Sequence, residues 1–230
     1  FSVPDLTPTI NGSDLRLGGV QNGGVPYTVE CWIKRTGKSY DGGDTGVRDV
    51  ILEKGLIDAA EEFALYVNKN NSIRWSIQGL GSNRIIAPND TIVMDQWHHI
   101  AVCGDSSDEH RMWVDGVQVG NTYWSPQFAD YTFNDPDSHE PLRVGHSIND
   151  SGATPGKEWI GKIADVRILV GTALYTGNFT PPTSPLEKIA DTVLLTARGD
   201  TITDESDLAR TVTVLGDTAP DADSPYPASG

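Results

Sequence analysis

The sequence has only 2 cysteines and 2 methionines in 230 residues, and 17 basic side chains against 32 acidic ones. It has no apolar run approaching the ~18 to 20 residues that a membrane helix requires. Each shortage excludes something. Two cysteines cannot build a disulfide scaffold. Without a long apolar run no helical span is expected, so the reading is a soluble chain with no membrane insertion. The scarcity of Lys and Arg leaves a formal charge of -15, which repels nucleic-acid phosphates and anionic lipid, since binding either requires cationic neutralisation. Neither is expected as a primary partner. No basic-then-apolar leader opens the chain, and it starts at Phe1 rather than Met, so we expect that something upstream was removed or left off.

Glutamate is also scarce: of the acids, 23 are Asp and 9 are Glu. Helices favour Glu, whereas Asp competes with its own backbone and suits turns. No apolar spacing of i, i+3, i+4, i+7 persists over three turns, while alternation of period two recurs. The expectation is an all-β protein.

Tyr27, Val29, Cys31 and Ile33 alternate with Thr28, Glu30, Trp32 and Lys34, giving a strand with one apolar face. Phe63, Leu65 and Val67 form another, and after the polar Asn68-Lys69-Asn70-Asn71 turn Ile73, Trp75 and Ile77 alternate with Arg74 and Ser76, completing a hairpin. A strand from Trp97 to Cys103 sets Ile100 and Val102 on the face opposite His99, Ala101 and Cys103. Met112 and Val114 precede Asp115-Gly116, a strong two-residue hairpin signal, and Val117 and Val119 carry the return strand. Ala164, Val166, Ile168 and Val170 mark a further strand, and residues 193–196 and 212–215 read as two more. Strands about every ten residues with turn residues between them predict a two-sheet antiparallel β-sandwich. The aromatic-rich 121–140 segment reads as a long loop or a pair of short strands over one edge, and 171–187, with two glycines and three prolines, as an irregular crossover. The tail 216–230 has little to bury and is expected against the surface or free of it.

Three blocks in order carry a family resemblance. They are Tyr27-Thr28-Val29-Glu30-Cys31-Trp32-Ile33-Lys34; then Gln96-Trp97-His98-His99-Ile100-Ala101-Val102 with Met112-Trp113-Val114-Asp115-Gly116-Val117; then Leu142-Arg143-Val144-Gly145 leading to Ile160-Gly161-Lys162-Ile163-Ala164-Asp165-Val166-Arg167-Ile168. This set resembles the laminin-G-like or concanavalin A-like jelly roll over residues 25–187. A second stretch runs from Leu174-Tyr175-Thr176-Gly177-Asn178-Phe179-Thr180-Pro181-Pro182 through Val193-Leu194-Leu195-Thr196, Asp204-Glu205-Ser206 and Thr211-Val212-Thr213-Val214 to Ser224-Pro225-Tyr226. It is similar to laminin-G-like modules of bacteriophage virion proteins. The organisation expected is a single 1–230 domain: core 25–187, additional strands over 188–215 and an extended tail. The family hosts unrelated functions, so fold alone does not settle the role.

Retaining glucanases on this scaffold carry paired carboxylates on one strand face, because nucleophile and acid must flank the glycosidic bond ~5 Å apart. No strand here has that pattern, and the acidic Asp204-Glu205-Ser206-Asp207 reads as a solvated turn. No Gly-x-Ser-x-Gly occurs. His98 and His99 are strand neighbours pointing to opposite faces and cannot share one metal, and His110, His139 and His146 are isolated. No catalytic residue is assigned, and the chain is not expected to be an enzyme. Against the pentraxin-like disulfide pattern, Cys31 and Cys103 fall on opposite faces, which favours two free thiols. Arg198-Gly199-Asp200 is read as a chance tripeptide, and the sequons at Asn11, Asn89, Asn149 and Asn178 matter only in a eukaryotic secretory host.

No motif demands a cofactor. Ca2+ stays open, because the resembled domains hold it with oxygen ligands on rim loops; the candidates are Asp58 and Glu61 before Phe63, and Asn149 with Asp150. The competing reading is solvated loop acids. Tyr123, Trp124, Phe128, Tyr131 and Phe133 could stack on sugar rings, dock a neighbouring subunit, or cap the sandwich. The resemblance implies a non-catalytic virion structural protein, a capsid or tail decoration or adhesion module at the particle surface, working in many copies as a homo-oligomer beside other virion proteins. The alternative is a soluble Ca2+-dependent carbohydrate-binding protein of a bacterium. A host-surface glycan fits both.

Overall fold

The structure, a computed structural model, describes residues 2–3, 25–39, 48–56, 60–77, 84–107, 109–124, 141–147 and 158–226. Among the described residues twelve strands are present: β1 Ser2–Val3, β2 Tyr27–Arg35, β3 Arg48–Leu56, β4 Ala60–Asn68, β5 Ile73–Ile77, β6 Arg84–Ile86, β7 Trp97–Gly104, β8 Glu109–Val114, β9 Val117–Trp124, β10 Leu142–Val144, β11 Gly161–Val170 and β12 Thr192–Thr196. They make two six-stranded sheets, one ordered β1-β10-β3-β4-β5-β6 and the other β12-β11-β2-β7-β8-β9. All named pairs are antiparallel. The predicted two-sheet sandwich is therefore the fold.

Alternation decides which face each residue serves. From β2, Tyr27, Val29, Cys31 and Ile33 enter the inter-sheet core together with Ile100 and Val102 of β7 and Met112 and Val114 of β8. Opposite them stand Phe63, Leu65 and Val67 of β4 and Ile73, Trp75 and Ile77 of β5. Trp75 anchors this layer, its ring 5.5 Å from Phe63 and 6.1 Å from Tyr27. At one end of the sandwich Arg35 of β2 forms an ion pair with Asp49 of β3, both side chains fully excluded from water. Arg35 also donates to the Asn68 carbonyl at 3.1 Å and to Asn71 Oδ1 at 2.6 Å.

Asp115 and Gly116 both have positive φ, 51° and 76°, the geometry of the two-residue hairpin predicted for them. Gly116 is needed for a second reason: a Cβ there would overlap the Phe179 carbonyl, whose amide donates to the Gly116 carbonyl at 2.9 Å.

Several expectations are corrected. Residues 121–124 belong to β9, with Tyr123 opposite His110 and Trp124 opposite Glu109. Residues 212–215 form no strand; Val212 tucks against the core while Val214 and Leu215 stay exposed. The edge of β12 that a further strand would occupy is capped instead by the 204–210 turn. There the acidic cluster is only partly solvated: Asp204 is buried and accepts from the amides of Leu195, Ser206 and Arg210 at 3.2, 2.9 and 2.9 Å, whereas Glu205 and Asp207 are exposed. The tail does lie on the surface as far as Tyr226, where Asp221 and Asp223 accept from Lys162 at 2.7 and 2.9 Å.

Cys31 faces the inter-sheet core and Cys103 the opposite side of the same sheet, and both thiols are free. In register, Thr28 stands beside Cys103 and Cys31 beside Ile100, which keeps the thiols apart. Burial pushes both thiols up, Cys103 to about 11. Ellman's reagent should therefore find no thiol in the native protein and two after denaturation without reductant; one or none after denaturation would contradict the arrangement.

Candidate functional site

The outer face of the β2–β7–β8 sheet is not open. Residues 171–179 cross it, and Ala173, Tyr175 and Phe179 pack on Ala101, Cys103 and Trp113, with the Tyr175 and Phe179 rings stacked 3.7 Å apart. Thr28 fixes the crossing: its hydroxyl donates to the Thr172 carbonyl and accepts from the Leu174 amide, each at 2.9 Å. Beneath this cover lies Glu30, fully buried. Its Oε1 accepts from Arg167 Nε at 2.9 Å and Nη2 at 2.6 Å, and its Oε2 accepts from Tyr175 at 2.9 Å and His99 Nε2 at 3.2 Å. Burial alone would raise the Glu30 carboxyl, but the His99 hydrogen bond and the Arg167 charge outweigh it and hold the group below its ordinary value. Burial and the Glu30 charge raise Tyr175 well above its ordinary value, so it remains the donor.

A carboxylate held ionised by a guanidinium is the opposite of a general acid, whose pKa must rise toward the working pH. The histidines are committed as well. His98 Nε2 accepts from the Val93 amide at 3.0 Å, which leaves the proton on Nδ1 to donate to Asp115 Oδ2 at 2.7 Å. The pair points to opposite faces as expected, and His110 hydrogen-bonds Tyr27 at 2.9 Å while burial lowers it to about 4. No group of three or more His, Cys, Asp or Glu placed to hold a metal occurs among the described residues.

The outer face of the other sheet is built differently. Register places Val50, Tyr66, Arg74 and Ile86 in one cross-strand row, and Arg143, Glu53, Ala64, Ser76 and Arg84 in the next. Arg48 joins them, its guanidinium 4.9 Å from the Tyr66 ring centre. Four of the chain's ten arginines thus share one face of an acidic protein. Val50, Ala64 and Tyr66 form a small buried cluster; Arg48, Arg74 and Arg84 are half-buried. With its amide oxygen turned to the guanidinium, Asn68 accepts from Arg74 Nη2 at 2.7 Å and Nε at 3.0 Å. Glu53, Ser76 and Arg143 are buried as well, so the centre of this face is excluded from water and holds a carboxylate among its arginines. This face escaped the sequence reading: the alternation of β5 already sets Arg74 and Ser76 on its polar side, but only the strand order brings Arg48, Arg84 and Arg143 beside them.

The residues singled out from sequence are not gathered in one place among the described residues. Tyr123 and Trp124 lie in β9 rather than in a loop, and Glu61 lies in β4 opposite Gly55 rather than in a loop before it. Phe128, Tyr131, Phe133, Asp58, Asn149 and Asp150 lie outside the described residues.

Two antiparallel sheets in this order, one face covered by the chain's own crossover, define a lectin-like jelly roll. The chain belongs to the concanavalin A-like lectin/glucanases superfamily, whose laminin-G-type family model matches residues 11–173. Among solved structures, it is similar to a candidate carbohydrate-binding protein from Bacteroides ovatus ATCC 8483, with TM-score 0.53, 14% identity, and coverage of 89% of this chain and 55% of that one. The chain thus spans about half the length of that protein. It also matches the CBM40 of a Ruminococcus gnavus IT-sialidase, with TM-score 0.48, 10% identity, and coverage of 66% and 78%. A heptameric SAP-like pentraxin from Limulus polyphemus matches with TM-score 0.44, 15% identity, and coverage of 90% and 87%. No curated protein matches the sequence.

Arg167→Met leaves Glu30 buried without its guanidinium and should cost about 3–5 kcal/mol of stability in urea denaturation. Because the folded-state pKa of Glu30 lies below its unfolded value near 4.5, the stabilisation is complete above that pH and is lost as pH falls through the folded value. The wild-type acid-unfolding slope below about pH 4.5 should flatten in the variant; an unchanged slope would remove Glu30 as its source.

Proposed function

We propose that the chain is a non-catalytic glycan-binding module. One observation carries this: in a member of the lectin/glucanase superfamily, the carboxylate at the centre of the β2–β7 sheet is paired with Arg167, hydrogen-bonded to His99 and sealed under Tyr175. That leaves it unfit to protonate a glycosidic oxygen. The likeness to the Bacteroides ovatus protein supports the carbohydrate side of the reading. A jelly roll of this kind binds weakly per copy, and many copies on one particle or in one homo-oligomer raise the effective concentration.

The finer reading places the module on a virion, as a capsid or tail decoration meeting host-surface glycans. It rests on the similarity of residues 171–227 to virion modules. In a bacterium the same module would act as a soluble lectin, and in either setting Asp58, Glu61, Asn149 and Asp150 are the proposed Ca2+ ligands, oxygen donors of the kind that ion requires.

A glycan array probed with and without chelator tests the module. The expected result is selective binding with no turnover of the bound oligosaccharide. Release of reducing sugar, lost on removal of one carboxylate, would establish a glycosidase instead. Chelator-insensitive binding would discard the Ca2+ ligands and keep the module. Peptide mass spectrometry of purified particles should find the chain; its absence would remove the virion placement.

A further inference from the structure

We infer that the outer face of the β11–β2–β7 sheet carries a carboxylate seat closed by the chain's own residues 221–226, and that an acidic glycan binds there by displacing them. The inference rests on the glycan-binding reading and names the place of binding and the ligand class. The first observation is a like-charge pair. Lys34 of β2 and Lys162 of β11 are direct cross-strand partners, and like charges so placed repel unless an anion joins them. Trp97 of β7 stands on the other side of Lys34 in the same row. All three donors meet one carboxylate: Asp223 Oδ2 accepts from Lys34 and Lys162, each at 2.9 Å, and Oδ1 accepts from the Trp97 indole N–H at 3.2 Å. Lys34 first, then Lys162 and Trp97, hold the Asp223 carboxyl well below its ordinary value. Asp221 accepts a further bond from Lys162 at 2.7 Å. The donors belong to the sheet and the acid to the tail.

The second observation is how lightly the acid's segment is attached. Residues 213–222 are all exposed, so no apolar burial fixes the approach to Asp223. Lys34, Lys162 and Asp223 are themselves partly exposed, and ion pairs of that kind contribute little and are weakened by salt. The remaining anchor is Tyr226, which donates to the buried Asp165 and meets Trp32 edge-on, ring centres 5.8 Å apart. Among the described residues the inter-sheet core takes none beyond Val212. The segment can therefore open without unfolding the sandwich.

The third is what the segment covers. Trp32 and His99 form the next outer-face row beside Lys34 and Trp97. Trp32 is buried with the Tyr226 ring against it, while Trp97 stays partly exposed. Opening the segment uncovers two indoles beside two lysines. A pyranose ring stacks on an indole face, and a carboxylate on that ring takes the place of Asp223. A neutral sugar would leave Lys34 opposite Lys162 with no anion between them, so charge complementarity selects an acidic ligand. Tail and ligand then compete for one seat. Lys34 lies two outer-face positions along β2 from Glu30, and the 171–179 crossover stays in place when the seat is filled.

Titration calorimetry tests this with the full chain, wild type and Asp221→Asn/Asp223→Asn, against trigalacturonic acid, or the acidic glycan the array selects, and its methyl ester. The expected result is binding of the acid about tenfold tighter in the double variant than in wild type, which corresponds to a segment open about one-tenth of the time. The ester should bind at least about tenfold more weakly than the acid, and Lys34→Gln added to the double variant should remove the gain. Acrylamide quenching of tryptophan fluorescence should rise in the double variant, and in wild type at about 1 M salt, where the screening length is about 3 Å. Thermal melts close to wild type show that the sandwich is intact. Equal affinity of the acid for both proteins, equal binding of acid and ester, or unchanged quenching would overturn the inference and leave glycan binding standing. Silence of both proteins toward trigalacturonate and toward every acidic glycan on the array would also overturn it. Neutral glycans bound there would keep the module reading, and an empty array would remove that reading as well.

Discussion

The structure turns on one buried carboxylate. Glu30 sits at the centre of a sheet, on the face away from the inter-sheet core, where an isolated charge would cost far more than folding can return. Three groups from distant parts of the chain answer it: His99 from β7, Arg167 from β11 and Tyr175 from the crossover. Once these converge, residues 171–179 must lie across the sheet, because only there can Tyr175 reach the carboxylate while Phe179 meets the hairpin turn at Gly116. The crossover in turn shields Trp113 and Cys103. A third layer is thus added to a two-layer sandwich by electrostatic necessity rather than by an amphipathic strand.

That constraint makes the two outer faces unlike. One is closed by the chain itself and its acid is discharged. The other carries Arg48, Arg74, Arg84 and Arg143 together with the buried Glu53, around Val50, Ala64 and Tyr66, which are excluded from water. The first face supplies architecture: the carboxylate at its centre is a structural anchor, held by Arg167, His99 and Tyr175.

Much of the architecture could be read from period two. β2, β4, β5, β7 and the Asp115-Gly116 hairpin were all legible, because one face of each is apolar and the other is not. β3 was hidden: Val50, Ile51 and Leu52 are consecutive apolar residues, and a bulge between Val50 and Leu52 shifts the alternation halfway along. β6 and β10 have three residues each, too few to display a period. In contrast, residues 212–215 alternate well but extend no further than a single bridge at Thr213, since Asp204 and Arg210 already occupy the β12 edge. The free thiols followed from facing parity, and the opposite orientation of His98 and His99 followed the same way. The arginine face was not legible, because Arg48, Arg74, Arg84 and Arg143 are spread over 96 positions of sequence and meet only through the order β10-β3-β4-β5-β6. The Glu30 cluster was hidden for the same reason: its members are separated by up to 145 positions.

The central claim is that the Glu30 carboxylate is a structural anchor under the 171–179 crossover rather than a group that meets a ligand. A crystal structure of the protein soaked with an oligosaccharide selected on the glycan array tests it most directly. The account predicts sugar density elsewhere on the molecule, with Glu30 still enclosed by Arg167, His99 and Tyr175. Density seated over Glu30, with Tyr175 displaced from it, would contradict the account.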